Sequence, residues 1–125
     1  ILIGVNDVSR GGTVDQWEAD YRFILNASRK SKADLPVVLL DPFVLRSGRL
    51  KNEAAWKKWR GKVDQYCGVI AQLAKDYDAT HVKTQEVFDA AAKAASPEQW
   101  IWDGVHPLPQ GHELIARNWL QQVSD

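Results

Sequence analysis

Methionine is absent from these 125 residues, and cysteine occurs once. The lone Cys67 excludes an intrachain disulfide and a zinc site built on cysteines. It falls on the apolar stripe of a long helical pattern, which marks it as a small core residue rather than a nucleophile. With no methionine and with Ile1 at its head, the chain is expected to be preceded by natural sequence. An excess of either charge is lacking too: sixteen Lys and Arg balance sixteen Asp and Glu. That balance argues against a general nucleic-acid partner or an anionic membrane surface. No apolar run approaches the roughly 18 residues of a membrane span. There is no signal-peptide pattern, internal repeat, low-complexity tract or linker. What is left is one domain over residues 1–125, 45% hydrophobic and 26% charged, with enough chain for a single core.

Apolar runs and helical stripes alternate along it. Ile1 to Val5 reads as a strand buried on both faces, stopped by Asn6-Asp7. Asn6 to Gly12 reads as a loop. Thr13, with Gln16 as capping-box partner, starts a helix running to about Ser31 through Val14, Trp17, Tyr21, Ile24 and Leu25. Pro36 to Asp41 is the second buried strand, ended by Asp41-Pro42. Phe43 to Asn52 is a longer loop, equally readable as a ligand-binding rim or a solvated surface. Glu53 to Tyr77 forms the longest helix, apolar from Trp56 through Trp59, Val63, Tyr66, Ile70 and Leu73 to Tyr77. Thr80 to Lys83 is a third, short strand whose His81 is a packed or edge histidine. Thr84 is expected to cap a helix from Gln85 to about Ala94, and Ser96-Pro97 opens a further turn. The last helix spans Pro109 to Val123, with His112 exposed. This order predicts an α/β fold, a parallel sheet with helices on both faces and right-handed crossovers.

Chemistry concentrates in Trp102-Asp103-Gly104-Val105-His106-Pro107. An acid three positions before an imidazole, on a Gly-Pro loop at the mouth of a helix, can fix the ring's tautomer and stabilise its protonated form. Loops at the C-terminal ends of parallel strands share one rim. Asn6, after the first strand, can therefore lie near His106 and donate its amide to a developing oxyanion. The six tryptophans offer stacking faces near the rim, Trp100 and Trp102 especially, while Trp17, Trp56, Trp59 and Trp119 lie on apolar stripes. A metal site from Asp103, His106 and His112 is a thin case, with three ligands and no second cluster.

Two blocks together resemble a known family. Gly4-Val5-Asn6-Asp7 resembles the G-x-N-D block of the SGNH (GDSL-type) hydrolases, and Asp103-Gly104-Val105-His106-Pro107 resembles their D-x-x-H-P block. They occur in the family's order, about a hundred residues apart, and the likeness covers essentially the whole chain. The resemblance implies a three-layer α/β/α sandwich, flavodoxin-like in strand order, and ester hydrolysis through an acyl-enzyme without cofactor or metal. It implies His106 as base and then acid, Asp103 as its orienting carboxylate and Asn6 as oxyanion donor; Trp102 and Asp7, beside these blocks, are the candidate substrate contacts. The family's nucleophile is the serine of a Gly-Asp-Ser block, and no such block is present. Ser9, Ser28, Ser31, Ser47, Ser96 and Ser124 all lie outside a nucleophile position. The reading is therefore the C-terminal part of such an enzyme, with an N-terminal segment of the same domain supplying the serine. On that reading the substrate is a small-molecule or saccharide ester, acetylated carbohydrate leading. The competing class is a non-catalytic α/β ligand- or carbohydrate-binding module with a degenerate site.

Overall fold

The computed structural model describes residues 1–123. Five α-helices are described, α1 (Val5–Arg10), α2 (Val14–Ser31), α3 (Glu53–Asp76), α4 (Thr84–Ala94) and α5 (Pro109–Val123). Two strands, β1 (Val38–Leu40) and β2 (Thr80–Val82), pair in parallel with Leu39 opposite His81. Short 3-10 turns occupy Gly48–Lys51 and Pro97–Gln99.

Local chemistry accounts for most boundaries. The Thr13 hydroxyl accepts from Gln16 N–H at 3.2 Å, and Asn52 Oδ1 accepts from Ala55 N–H at 3.0 Å. Each cap satisfies a donor that the first helical turn would strand, worth about 1 kcal/mol. The Gln16 side chain does not return to Thr13 but donates to Asp20 at 2.8 Å, so the box is half made. Thr84 is not a cap. It is the first residue of α4, fully buried, with its hydroxyl on Val82 O at 3.3 Å. The Asp41-Pro42 stop holds, because Pro42 has no N–H with which to extend the ladder.

The strand expected over Ile1 to Val5 is not formed: residues 1–4 carry no regular element and Val5 already opens α1. Residues 1–3 are extended beside β1, where Ile1 N donates to Val38 O at 2.6 Å and Leu40 N donates to Ile1 O at 2.9 Å. That is the bond pattern of parallel neighbours. At Gly4 the chain turns with φ 121°, and a Cβ there would come within 3.0 Å of the Trp17 ring. Gly4 O then accepts from Asp7 and Val8 N–H, so the expected Asn6 to Gly12 loop is instead helix α1. Ile1, Leu2 and Ile3 are each about 40% exposed.

Two cores flank the sheet. Trp17, Tyr21 and Leu25 of α2 meet Val63, Tyr66, Ile70 and Leu73 of α3 over Leu39, with Val8 of α1 beside them. Trp17 stacks on Tyr66 with ring centroids 4.0 Å apart. Across the sheet, Phe43, Leu45, Phe88 and Ile101 are packed by Leu114 and Ile115 of α5. Each fully buried side chain of this size contributes about 1.5–3 kcal/mol. Helices therefore cover both faces of a parallel sheet, as alternation in the sequence predicts. The segment after β1 is neither of the things expected of it. Phe43, Val44, Leu45, Ser47 and Leu50 are buried, because Phe43 and Leu45 pack into the second core while Val44 and Leu50 pack into the first.

Candidate active site

Residues 101–107 close on themselves. Ile101 and Pro107 form an antiparallel bridge, and Leu108 N donates to Trp100 O at 2.9 Å. Within this closure Asp103 Oδ1 accepts from the main-chain N–H of Val105 at 2.9 Å and of His106 at 2.8 Å. The turn demands Gly104, whose φ is 97° and whose Cβ would lie 2.6 Å from Leu50 Cγ. The sequence Asp-Gly-Val-His thus folds locally because a short carboxylate caps its own turn and a glycine allows it.

The second carboxylate oxygen, Oδ2, lies 2.7 Å from His106 Nδ1. Burial by itself would raise the Asp103 pKa. The His106 main-chain N–H, its imidazole and the Val105 N–H outweigh burial and hold the carboxyl at about 2. An ionised Asp103 can only accept, so Nδ1 carries the proton and Nε2 is left as the basic nitrogen. The Asp103 side chain is 13% exposed and the His106 side chain 65%, a shielded acid steadying an accessible base. Trp102 stands beside them, 59% exposed, its ring 6.5 Å from the imidazole and inclined by 26°.

Asn6 lies in the first turn of α1, exposed. Val5 and Val105, the chain neighbours of Asn6 and His106, line one cavity of about 70 Å³ with Leu2, Ile3, Pro42 and Phe43. Residues adjoining the two blocks thus share one small cavity, which neither Asn6 nor His106 itself lines. Asp7 turns elsewhere: its carboxylate is 3.7 Å from Arg10, and it lines a cleft of about 80 Å³ with Thr13, Gln16, Trp17 and Tyr66.

Other candidates sort readily. Ser9 is exposed on α1 and bonds Asn6 O at 2.7 Å, Ser28 bonds Ile24 O at 2.9 Å, and Ser47 is buried against Ile101 O at 2.5 Å. Ser31 ends α2, Ser96 bonds Glu98, and Ser124 lies outside the described residues. Burial raises the Cys67 thiol well above its ordinary range, with Asp41 adding to the effect, so it stays protonated. Among the described residues no three His, Cys, Asp or Glu side chains stand close enough to hold a metal ion, so Asp103, His106 and His112 do not form that trio. No described helix is long and apolar enough to cross a membrane. Trp17 is buried, whereas Trp119 is 38% exposed on α5 despite its place in an apolar stripe.

Two features escape sequence reasoning. Asp41, expected on the rim, is buried with Oδ1 2.7 Å from His81 Nε2, a second acid–imidazole pair inside the fold. Gln85 is 3% exposed and bonds the main chain of Val44. Neither pairing is local, so no spacing rule announces it.

An exposed histidine held through Nδ1 by a shielded carboxylate is an arrangement that can serve as a general base. Residues 1–114 match the model of the GDSL-like lipase/acylhydrolase family, and the chain belongs to that family. It is 29% identical to an acetylxylan esterase of Geobacillus stearothermophilus, over 98% of this chain and 57% of that protein. A solved structure of a GDSL-like lipase from Parabacteroides merdae is 34% identical, with a TM-score of 0.89 over 98% of this chain and 57% of that one. The crystal structure of the Geobacillus esterase gives a TM-score of 0.81 at 28% identity, over 100% of this chain and 58% of that one. The chain thus has the α/β sandwich of these esterases and spans somewhat more than half their length. Catalytic mutants of the Geobacillus enzyme replace a serine, an aspartate and a histidine by alanine, the last two three positions apart.

Proposed function

We propose that this chain carries the base and the oxyanion side of a serine ester hydrolase acting on acetylated carbohydrate. One observation carries the reading: Asp103 holds His106 through Nδ1 at 2.7 Å while the imidazole side chain stays 65% exposed. On this reading Nε2 takes the proton of a serine hydroxyl as it attacks the ester carbonyl. The Asn6 amide donates to the oxyanion, and Asp103 stabilises the imidazolium. As the ester C–O bond breaks, His106 gives its proton to the departing sugar oxygen, which leaves as a hydroxyl. It next removes a proton from the water that releases acetate. Trp102 offers its exposed face to a sugar ring, and Asp7 contacts the substrate from the separate cleft beside Trp17 and Tyr66.

The serine comes from sequence outside residues 1–125, in the same domain. The length of the relatives supports this, as does the apolar edge of Ile1, Leu2 and Ile3, which a further strand would cover. The acetyl preference is supported by the Geobacillus relative.

The test uses the complete polypeptide that contains these residues. A fluorophosphonate probe should label one serine N-terminal to Ile1, and p-nitrophenyl acetate hydrolysis should be lost in His106→Ala. A complete polypeptide that binds sugar, takes no label and hydrolyses nothing would instead be a binding module. Rapid hydrolysis that survives His106→Ala would show that some other group is the base.

A further inference from the structure

Two buried polar side chains that touch neither Asp103 nor His106 govern the segment after β1. Gln85, in the first turn of α4, meets the main chain of Val44 as a neighbouring strand would. Val44 N–H donates to Oε1 at 2.9 Å, and Nε2 donates to Val44 O at 3.1 Å. Nε2 also donates to Asp89 Oδ1 at 3.0 Å, and Asp89 is held by both Nη atoms of Arg60 at 2.8 and 2.9 Å. The anchor thus reaches from α4 to α3. The next residue, Leu45, donates its N–H to Gly104 O at 3.1 Å. The fully buried Ser47 donates its hydroxyl to Ile101 O at 2.5 Å. Ile101 and Gly104 lie on either side of Asp103. Between these two grips, Gly48 comes so near that a Cβ would stand 2.5 Å from Asp103 Cα.

Packing alone would be served by apolar residues at 47 and 85. Buried amides and hydroxyls are costly unless satisfied, and a satisfied set fixes one arrangement of the main chain it bonds. Here that main chain is the template on which the Asp103 turn rests. We propose that Ser47 and Gln85 are positioning residues, which fix the Asp103–His106 pair through the carbonyls of Ile101 and Gly104. This rests on His106 being the base of the esterase. Neither residue touches substrate. Their loss lets the loop shift as a body, and misplacement of a base by about 1 Å costs on the order of a hundredfold.

The experiment compares Ser47→Ala and Gln85→Leu with Ile70→Val, a core variant on α3, in the complete polypeptide. Both positioning variants should lower kcat by on the order of tenfold or more with KM unchanged within about twofold. In the NMR spectrum the His106 Nδ1–H proton should exchange faster with solvent than in the parent. Ser47→Thr, which keeps the hydroxyl, should recover most of the loss. Should Gln85→Leu not fold, Gln85→Glu, which has the same shape but no Nε2 donor, carries the same test. Variants that melt lower, as Ile70→Val does, yet keep both kcat and the Nδ1–H exchange rate would overturn the proposal. Absence of any esterase activity in the parent would overturn the esterase reading alone, because the Nδ1–H measurement still decides the positioning role.

Discussion

Asp103→Asn separates the two duties of the acid. Oδ1 serves the main-chain N–H groups of Val105 and His106, while Oδ2 serves Nδ1. An Asn offers one oxygen and one NH₂. The two main-chain donors claim the oxygen, which turns the NH₂ towards Nδ1. Nδ1 must then accept, so the ring proton moves to Nε2, where a base needs a lone pair. Restoring the working tautomer requires the amide to flip and desert both main-chain donors. The part-buried Val105 N–H costs about 2 kcal/mol and the exposed His106 N–H about 1 kcal/mol, for a total of about 3 kcal/mol. At about 1.4 kcal/mol per tenfold, kcat should fall by at least about a hundredfold. The loop keeps its main-chain bonds, so KM should change little. The assay is p-nitrophenyl acetate turnover by the complete polypeptide, with ¹⁵N NMR reading which ring nitrogen bears the proton. A variant within about tenfold of the parent, or one still protonated at Nδ1, would refute the reasoning.

The same carboxyl gives a pH signature. Its folded pKa of about 2 lies below the ordinary 3.8, so its contribution to stability is complete above about pH 4 and is lost as pH falls towards 2. Urea melts at pH 5 and pH 2.5 should therefore show the gap between parent and Asp103→Asn closing at the lower pH; a gap of constant size would contradict the assignment. His81→Leu strands the buried Asp41 carboxylate and should cost about 3 kcal/mol, partly recovered by adding Asp41→Asn. A loss below about 1 kcal/mol in urea unfolding would show that the pair is not a structural tie. Gly48→Ala meets backbone at 2.5 Å with φ 47° and should destabilise by about 2–4 kcal/mol through strain and overpacking, while shifting the Asp103 turn. A parent-like melt would mean that the loop yields there at little cost.

How much of this could be read from the chain depends on the range of the interactions. Thr13 and Asn52 cap their helices through bonds to residues three positions on, and the stripe from Trp56 to Tyr77 repeats over many turns, so helix starts and faces were legible. Asp103 and His106 were legible for the same reason, since the acid's recorded partners lie within three residues. Helix α1 was not, because Asn6, Asp7, Ser9 and two glycines carry turn propensity, and what starts the helix is a backbone reversal at Gly4 packed against Trp17. Phe43-Val44-Leu45 held a local hint of burial, masked by Pro42 before it and Ser47-Gly48 after it. Asp41 with His81, and Gln85 with Val44, are ties across about forty residues that depend on strand order and helix docking.

Because Ile101 and Pro107 shut the loop that carries both acid and imidazole, those two groups travel together as one stiff unit. Asn6 rides on a different piece, a short helix launched from a single glycine. On the proposed mechanism, thermal breathing of the sheet leaves the Asp103–His106 pair intact and falls instead on the gap between His106 and the Asn6 amide. Heating short of unfolding should thus erode charge stabilisation at the carbonyl oxygen before it disturbs the imidazole's tautomer.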